Sequence, residues 1–521
     1  MDGAQRRPSA AEAMMAPVER VAVVDMGSNS WRLVVYGYEP GTPWWSLVDE
    51  IREAVRISAG LGEGNNVLRP ERVELALHTA AVFSSFCRAR GIDRIEAVAT
   101  SAIRDADNGP ELLDRIREQT GLTARVISGS EEARYGWLAI ANSTTIEDGF
   151  GLDMGGGSIQ TLRLEGRRLA TAASLPLGSV RVSEEFLPGE KATDKGMKTL
   201  RKRVSGELGE LGWWKGGGRL VGIGGTIRNL AAAAMKRLDL PDIDVQGFEL
   251  TRDALEALIE ELAARPASKR GGVSGIKPDR GDVILGGALV LAATLDHGGF
   301  DAIEVTEAGL REGIFFERLL GQRALFMDVR QESVENLAHR FETDHEHVHH
   351  VASLSLAMFD GLAAAGLHEL GAAERELLWA ACILHDIGTA IDYDDHHRHS
   401  QYLILNAGLP GYSPRELVLI GLIARYHRKG EPDASQLGDL AEAGDAERLG
   451  VLCGVIRLAE QLERSRDRSI RAVSVGTANG TVELTASAAP DGDPSVPIWA
   501  ARRNSELLAE AIGRPLEIQT R

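Results

Sequence analysis

The chain has 521 residues, room for roughly three or four domains at a typical domain size. Hydrophobic residues make up 44% and charged residues 26%, a globular mixture that excludes global disorder. Its 58 Lys and Arg face 76 Asp and Glu, a net charge of −18, so a polyanion can be bound only at a locally basic surface.

The first 19 residues are polar and read as a flexible tail without the apolar core of a signal peptide. Val21 to Asp25 is a short apolar run ending in turn residues, and Arg32 to Tyr38 is a second; the two predict strands in a hairpin. Pro70 to Arg90 predicts a helix, with Pro70 in its first turn and Val73, Leu77, Ala80 and Ala81 at helical spacing. A strand at Ile95 to Thr100, a helix at Pro110 to Gln119, a strand at Arg125 to Ile127 and a helix at Ser128 to Ile140 follow. The pattern then restarts. Gly149 to Asp153 is a strand, Gln160 to Leu164 pairs back from it, and Lys191 to Leu211 is a basic helix. Leu220 to Ile223 and Ala302 to Thr306 are further strands, and Gly309 to Leu320 is a helix. From about Gly321 to Ser465 helices dominate. Beyond them, Ile470 to Val475 and Thr481 to Thr485 flank an Asn479-Gly480 turn, a helix is expected near Ile498 to Ile512, and a strand at Leu516. Three cysteines, Cys87, Cys382 and Cys453, form no C-x-x-C and no zinc spacing, which suits a reducing compartment. No apolar run approaches the roughly 18 residues of a membrane span, so a cytoplasmic protein is expected.

The strongest internal signal is a repeat: Asp25-Met-Gly-Ser-Asn-Ser30 recurs as Asp153-Met-Gly-Gly-Gly-Ser158, each between two strands. Small residues let the backbone turn tightly and offer its N–H groups to an anion, while serine and asparagine add donors. An aspartate at the strand end can hold a divalent cation or a water beside a phosphate. A third turn, Gly222-Ile-Gly-Gly-Thr226, has the same composition and reads equally as a packing turn or a ligand loop.

Ser128 and Glu131 have capping-box spacing, which gives Glu131 a structural role. Glu132 has none by that reading. Near a helix N-terminus its carboxylate should stay ionised, as a base for water requires; an ordinary first-turn acid is the other reading. Arg104 and Arg32 follow strand or loop ends, where a guanidinium can clamp phosphate or simply be solvated.

The duplicated strand–aspartate–glycine turn resembles the actin, heat-shock ATPase and sugar kinase superfamily, which implies two ribonuclease-H-like α/β halves with the ligand between them. The ordered set of both loops, Thr100-Ser-Ala-Ile-Arg104, Ser128-Gly-Ser-Glu-Glu-Ala-Arg134, Gly224-Gly-Thr226 and Glu307-Ala-Gly-Leu-Arg-Glu-Gly313 resembles the exopolyphosphatase / guanosine pentaphosphate phosphohydrolase (Ppx/GppA) family over roughly residues 20 to 320. The resemblance implies Mg²⁺-dependent cleavage of phosphoanhydride bonds, with Mn²⁺ as an alternative ion. It makes Glu132 the base that activates water, with the two loops holding the terminal phosphates and Arg104 supporting them in catalysis. The expected metal ligands are Asp25, Asp153 and Glu132. The expected phosphate cradle is Asp25, Gly27, Ser28, Asn29, Ser30, Arg32, Gly155, Gly156, Gly157, Ser158, Gly225 and Thr226. One departure stands out: family members usually carry glutamate two residues after the second loop's serine, where this chain has Gln160.

In the C-terminal half, Leu384-His-Asp-Ile-Gly388 is expected in an apolar helix ending at Gly388. His385 and Asp386 resemble the centre of an HD-type metal site, completed by His347 and by Glu460 where an aspartate is usual. Hard cations accept glutamate, so a second site is one reading; a degenerate scaffold is the other. His397-Arg-His-Ser-Gln-Tyr402 and Arg425-Tyr-His-Arg-Lys429 resemble motifs of the longer exopolyphosphatases, or are solvated surface turns. Two basic runs, Lys191 to Arg203 and Arg464 to Arg471, are solvated faces or guides for a long polyanion.

The expected organisation is therefore a tail (1–19), two ribonuclease-H-like domains (20–140 and 141–320), an all-α HD-like domain (321–465) and a small α+β domain (466–521). The expected activity is release of orthophosphate from the end of inorganic polyphosphate. Removal of the terminal phosphate of guanosine pentaphosphate (pppGpp), or a weakly catalytic (p)ppGpp or polyphosphate sensor, are the alternatives. Nucleoside triphosphates are secondary candidate ligands. No specific nucleic acid or membrane partner is expected, and a homodimer follows by family analogy.

Overall fold

The computed structural model describes residues 18–61 and 66–521, so the tail expected over 1–19 falls almost wholly outside the described residues. The chain divides into two compact units, one comprising Met1–Ala231 and Glu249–Met327, the other Ala232–Phe248 and Asp328–Arg521.

The first unit holds two sheets. One comprises β1 (Glu19–Met26), β2 (Trp31–Tyr38), β3 (Trp45–Glu53), β4 (Ile95–Ala99) and β5 (Ala124–Val126), in the order β3-β2-β1-β4-β5. The other comprises β6 (Gly149–Met154), β7 (Ile159–Glu165), β8 (Arg168–Leu175), β9 (Leu220–Ile223), β10 (Glu249–Thr251) and β11 (Ala302–Val305), in the order β10-β11-β9-β6-β7-β8. Each begins with an antiparallel meander and continues with parallel strands, the second sheet ending on an antiparallel edge strand, β10: β1 pairs antiparallel with β2 and parallel with β4, as β6 does with β7 and β9. The sequence repeat is thus a repeat of topology. Val21, Ala22, Val23 and Val24 are all fully buried, as expected of a central strand covered on both faces.

The helices fill in around these sheets. Helix Pro70–Ala89 turns Val73, Leu77, Ala80, Phe83 and Cys87 into the core that also holds Val24, Met26 and Leu33. Helix Gly129–Ala141 starts on the expected capping box: the Ser128 hydroxyl accepts from the Glu131 N–H, and the Glu131 carboxylate accepts from the Ser128 N–H. It packs against β6, β7 and β8, with Ala133 and Ile140 in their core. Helix Ile284–Gly298, buried on nearly every face, and the third strands β3 and β8 had no counterpart in the sequence reading. The basic helix is Asp194–Gly209, and the last helix of this unit is Leu310–Leu320.

The second unit is built on helices Val329–Arg340, His345–Ala364, Ala372–Leu384, His396–Ala407, Pro414–Tyr426 and Asp445–Leu462. Strands β12 (Ile470–Ala478), β13 (Thr481–Ala488) and β14 (Leu516–Thr520) share one core with them through Ile470, Val482, Leu484 and Ile518. The hairpin turns on Asn479 and Gly480, both at positive φ (50° and 81°), as an Asn-Gly turn requires. Two expectations need correcting. The helix expected near 498–512 is two, Ser495–Arg503 and Glu506–Ala511. The helix bearing Leu384 ends at that residue rather than at Gly388, so His385 and Asp386 sit at a bend before the short 3-10 turn Ile387–Ala390. Among the described residues no helix is long and apolar enough to cross a membrane. All three cysteines are buried and free.

Candidate functional site

The two strand–loop–strand turns share one register. Asp25 pairs with Arg32 across β1 and β2, and Asp153 pairs with Gln160 across β6 and β7. Asp25 and Asp153 therefore stand at equivalent strand ends, and Gln160 occupies the place that Arg32 holds in the first half. The loops that follow meet directly. The Ser28 and Ser101 hydroxyls lie 3.1 Å apart. A Cβ on Gly157 would come within 2.5 Å of Ser101 Oγ and 3.0 Å of Ser28 Oγ. The third turn closes on the second: Gly224 adopts φ +110°, and a Cβ there would lie 2.4 Å from the Met154 carbonyl oxygen. Glycine is what lets three loops converge.

They enclose a polar cleft of about 140 Å³. Asp25, Gly27, Ser28, Asn29, Ser30, Arg32, Glu132, Asp153, Gly155, Gly156, Ser158 and Gly225 all line it. Gly157 and Thr226 are not on its wall, and Thr226 is fully buried. Arg104 is not on the wall either. Its Nη1 donates to the Ile127 carbonyl at 2.9 Å and to Glu132 Oε1 at 3.0 Å, so it holds the carboxylate from behind. The opposite oxygen, Glu132 Oε2, accepts from Gln160 Nε2 at 2.7 Å, and that amide also lies within hydrogen-bonding distance of Ser158 and Ser174. Glu132 is thus clamped on both oxygens.

Burial changes the charge expected for it. Helix position favours the ionised form, but desolvation outweighs it and pushes the Glu132 carboxyl up to about 7; Arg104 opposes this, and Asp153 and Asp25 add to it. Asp153 is likewise pushed up to about 7, by burial first and then by Asp25. Asp25 is raised by burial, against Arg311 and Arg32. Three carboxyls that disfavour one another's charge face one cleft.

Arginines supply the counter-charge. Beside Arg32, the wall carries Arg228, Arg280 and Arg311, none of which the sequence reading assigned. Arg32 pairs with Glu50 at 3.0 Å, yet burial and the neighbouring Arg311 and Arg228 lower its pKa to about 10. Burial also lowers Arg280 to about 10, with Arg52 and Arg228 next in effect. Guanidiniums that crowd one another in this way are short of anions. Arg311 lay within the quoted Glu307 to Gly313 motif and Arg228 two residues beyond Thr226, so both were adjacent to recognised signals. Arg280 had no local signal.

The comparisons with known proteins agree with this geometry. The Ppx/GppA phosphatase family model matches residues 34–322, and the model for domain III of Ppx/GppA phosphatases matches 329–491. The chain belongs to the Ppx/GppA phosphatase family. Among solved structures, the Aquifex aeolicus member of the Ppx/GppA family is 29% identical, with 58% of this chain and 98% of that one covered and a TM-score of 0.50. An exopolyphosphatase-like protein is 26% identical over 58% of this chain and 99% of that one, with a TM-score of 0.53. An exopolyphosphatase from Cytophaga hutchinsonii ATCC 33406 shares the fold at 22% identity, 59% and 100% coverage and a TM-score of 0.54. Membership makes this a phosphatase-family protein of mixed α/β build.

In the second unit, the four residues singled out from sequence come together. His347 Nε2 lies 3.1 Å from Glu460 Oε2 and 3.8 Å from Asp386 Oδ2, and His385 Nε2 lies 3.3 Å from Glu460 Oε2 and 3.6 Å from Asp386 Oδ1. The His397 and Arg425 motifs are not solvated turns. The first lies on helix His396–Ala407 and the second runs from the end of helix Pro414–Tyr426 into the turn that follows; His397 and His427 are buried, while Arg398, Tyr402 and Lys429 stay exposed. The basic runs are partly neutralised: Arg201 pairs with Glu256, Arg203 with Glu207, Arg466 with Asp386 and Arg468 with Glu346.

Proposed function

We propose that this protein is an exopolyphosphatase that hydrolyses the terminal phosphoanhydride of inorganic polyphosphate and releases orthophosphate. The observation that carries the reading is the composition of the cleft. It combines two aspartate–glycine–serine loops, four arginines and one clamped glutamate, and among the described residues lining it there is no aromatic side chain. A nucleoside site ordinarily offers apolar or aromatic walls with a few polar groups. Here only Met154 and Leu310 are apolar, which favours a chain of phosphates over pppGpp. The pppGpp phosphohydrolase remains the second reading, because the family name spans both. A weakly catalytic sensor would have no need of a buried carboxylate held on both oxygens.

In this reading Arg32, Arg228, Arg280 and Arg311 bind the terminal phosphates, and the serine loops fix their position. Glu132 takes the proton of the attacking water; the new bond forms from water oxygen to the terminal phosphorus, and the anhydride P–O bond breaks, leaving a chain one phosphate shorter. Arg104 and Gln160 fix the direction in which Glu132 receives that proton. The donor set fits a divalent cation: three buried carboxyls, each raised by burial, with Glu132 raised further by both aspartates and Asp153 by Asp25, are an oxygen-rich site that a hard dication would relieve. Asp25, Asp153 and Glu132 would hold Mg²⁺, with Mn²⁺ as the alternative. Bound there, it supplies charge neutralisation to the phosphoryl oxygens. Gln160, placed where relatives usually have glutamate, removes one candidate ligand and gives Glu132 a donor instead. The second unit is proposed as an HD-like helical domain; homodimer formation and a cytoplasmic location are carried by family analogy.

Phosphate release from long-chain polyphosphate and from pppGpp, compared at equal concentration, tests the reading. Faster release from polyphosphate supports it; a strong preference for pppGpp replaces it with the second reading.

A further inference from the structure

We infer that the helical unit carries a binuclear site for divalent transition-metal ions, bridged by Asp386 and distinct from the phosphate cleft of the first unit. Two triads of ligand atoms share that aspartate. His347, His385 and Asp386 form one, and Asp386, His396 and His427 the other, with the atoms of each triad within 4.8 Å of one another. Glu460 joins the first triad, 3.1 Å from His347 and 3.3 Å from His385. His385 and His396 approach Asp386 Oδ1, at 3.6 and 3.3 Å, while His347 faces Oδ2. All six side chains are more than nine-tenths buried.

The imidazoles are oriented as metal ligands. His385 Nδ1 lies 2.6 Å from the Cys382 carbonyl oxygen, His396 Nδ1 2.8 Å from that of Tyr393, and His427 Nδ1 2.7 Å from that of Ala424. A carbonyl only accepts, so each Nδ1 carries the hydrogen, and each ring, once its other nitrogen is deprotonated, turns an Nε2 lone pair inward. His396 Nε2 and His427 Nε2 then face each other at 3.1 Å, lone pair to lone pair. That approach is repulsive unless one ring takes up a second proton and donates to the other, or a metal ion lies beside both. In the first triad, His347 Nε2, His385 Nε2 and Glu460 Oε2 are close yet lack hydrogen-bond partners. Buried polar atoms at this spacing without a partner are costly unless a common centre satisfies them. Ligands about 2.0–2.2 Å from a metal stand about 3–4 Å apart, the range seen here. Four imidazoles and two carboxylates favour Mn²⁺, Fe²⁺, Co²⁺ or Zn²⁺ over Mg²⁺. Arg466 donates to Asp386 Oδ2 at 2.5 Å and shares that oxygen with the first metal. A cluster neutralised by Arg466 and protonated histidines alone is the competing account.

The test uses the full-length chain, stripped with chelator and titrated with Co²⁺. Bound metal is counted by mass spectrometry after desalting, and nitrogen ligation is read from the visible Co²⁺ bands. The wild type should retain two Co²⁺ per chain beyond those held by an Asp386→Ala variant, and His396→Ala/His427→Ala should lose one. Far-UV circular dichroism and polyphosphate hydrolysis by the first unit check that the variants fold. Equal counts in wild type and Asp386→Ala, a wild type that holds only one ion more than Asp386→Ala and keeps it in His396→Ala/His427→Ala, or a wild type without Co²⁺ bands would overturn the inference. The last of these decides even where a variant misfolds.

Discussion

Replacing Arg104 by methionine should move the acid limb of the pH–rate profile rather than lower the rate uniformly. Arg104 touches Glu132 Oε1 at 3.0 Å and does not line the cleft, so its effect on catalysis should pass through the glutamate. Its charge and its hydrogen bond both lower the Glu132 pKa, against a burial effect that places it at about 7. A hydrogen bond to a charged group is worth about 1.5–3 kcal/mol, or about one to two pKa units at 1.36 kcal/mol per unit. The folded pKa of the base therefore rises to about 8–9 in the variant. At pH 7 the ionised fraction falls from about a half to between about 10% and about 1%, a loss of about 5- to 50-fold in rate. Near pH 9.5 most of that loss should vanish. Cation binding lowers both limbs alike, so the displacement between wild type and variant is the observable. Phosphate release from polyphosphate is to be followed from pH 5.5 to 9.5 at saturating Mg²⁺. A loss of equal size at every pH would mean that Arg104 acts on the phosphate itself and would refute this assignment.

Three further outcomes follow from the same cleft. Arg228→Met or Arg280→Met, each removing a guanidinium from the wall, should lower kcat/KM for polyphosphate by about 10- to 100-fold with little change in thermal midpoint, and the remaining binding should weaken with added salt. Gly224→Ala places a Cβ 2.4 Å from the Met154 carbonyl at φ +110°, and should cost at least about 1–3 kcal/mol, seen as a lower thermal midpoint. Burial pushes Asp153 up to about 7 in the folded state against an ordinary 3.8, so in chelator the folded state binds the proton more tightly: the contribution of Asp153 to stability is fully present below about pH 4, falls as pH rises toward 7 and is flat above. Asp153→Asn should flatten that slope and raise the midpoint of the metal-free protein at pH 8 while abolishing activity; an unchanged slope would contradict the burial of this carboxyl.

Much of this was legible in the sequence because the informative residues lie close together along the chain. The two Asp-Met-Gly turns, the capping box at Ser128 and Glu132 beside it are local patterns, and each falls in the structure where its spacing put it. The third strand of each sheet was not legible, for physical reasons. β3 is an edge strand with charges on both faces at Asp49, Glu50, Arg52 and Glu53, and β8 packs small residues such as Ala172 and Ala173, so neither shows a strong apolar period. Arg280 reaches the cleft from the short 3-10 turn Pro278–Arg280, far along the chain from any recognised signal, a convergence that only the tertiary fold creates. Glu132 shows the opposite limit: its position was evident, but its charge was not, because helix capping is a local effect and burial is not. The histidines repeat the lesson. His396 opens one helix and His427 caps the end of another, 31 residues apart, and their meeting at 3.1 Å is invisible along the chain.

The most direct test of the central claim is phosphate release from long-chain polyphosphate and from pppGpp, with Mg²⁺, by the wild type and by Glu132→Ala. Removing a positioned base should cost about 10²–10⁴-fold, so polyphosphate hydrolysis that is preferred in the wild type and falls by that factor in the variant is the expected result. Hydrolysis that survives Glu132→Ala would contradict the assignment of the cleft as the catalytic centre.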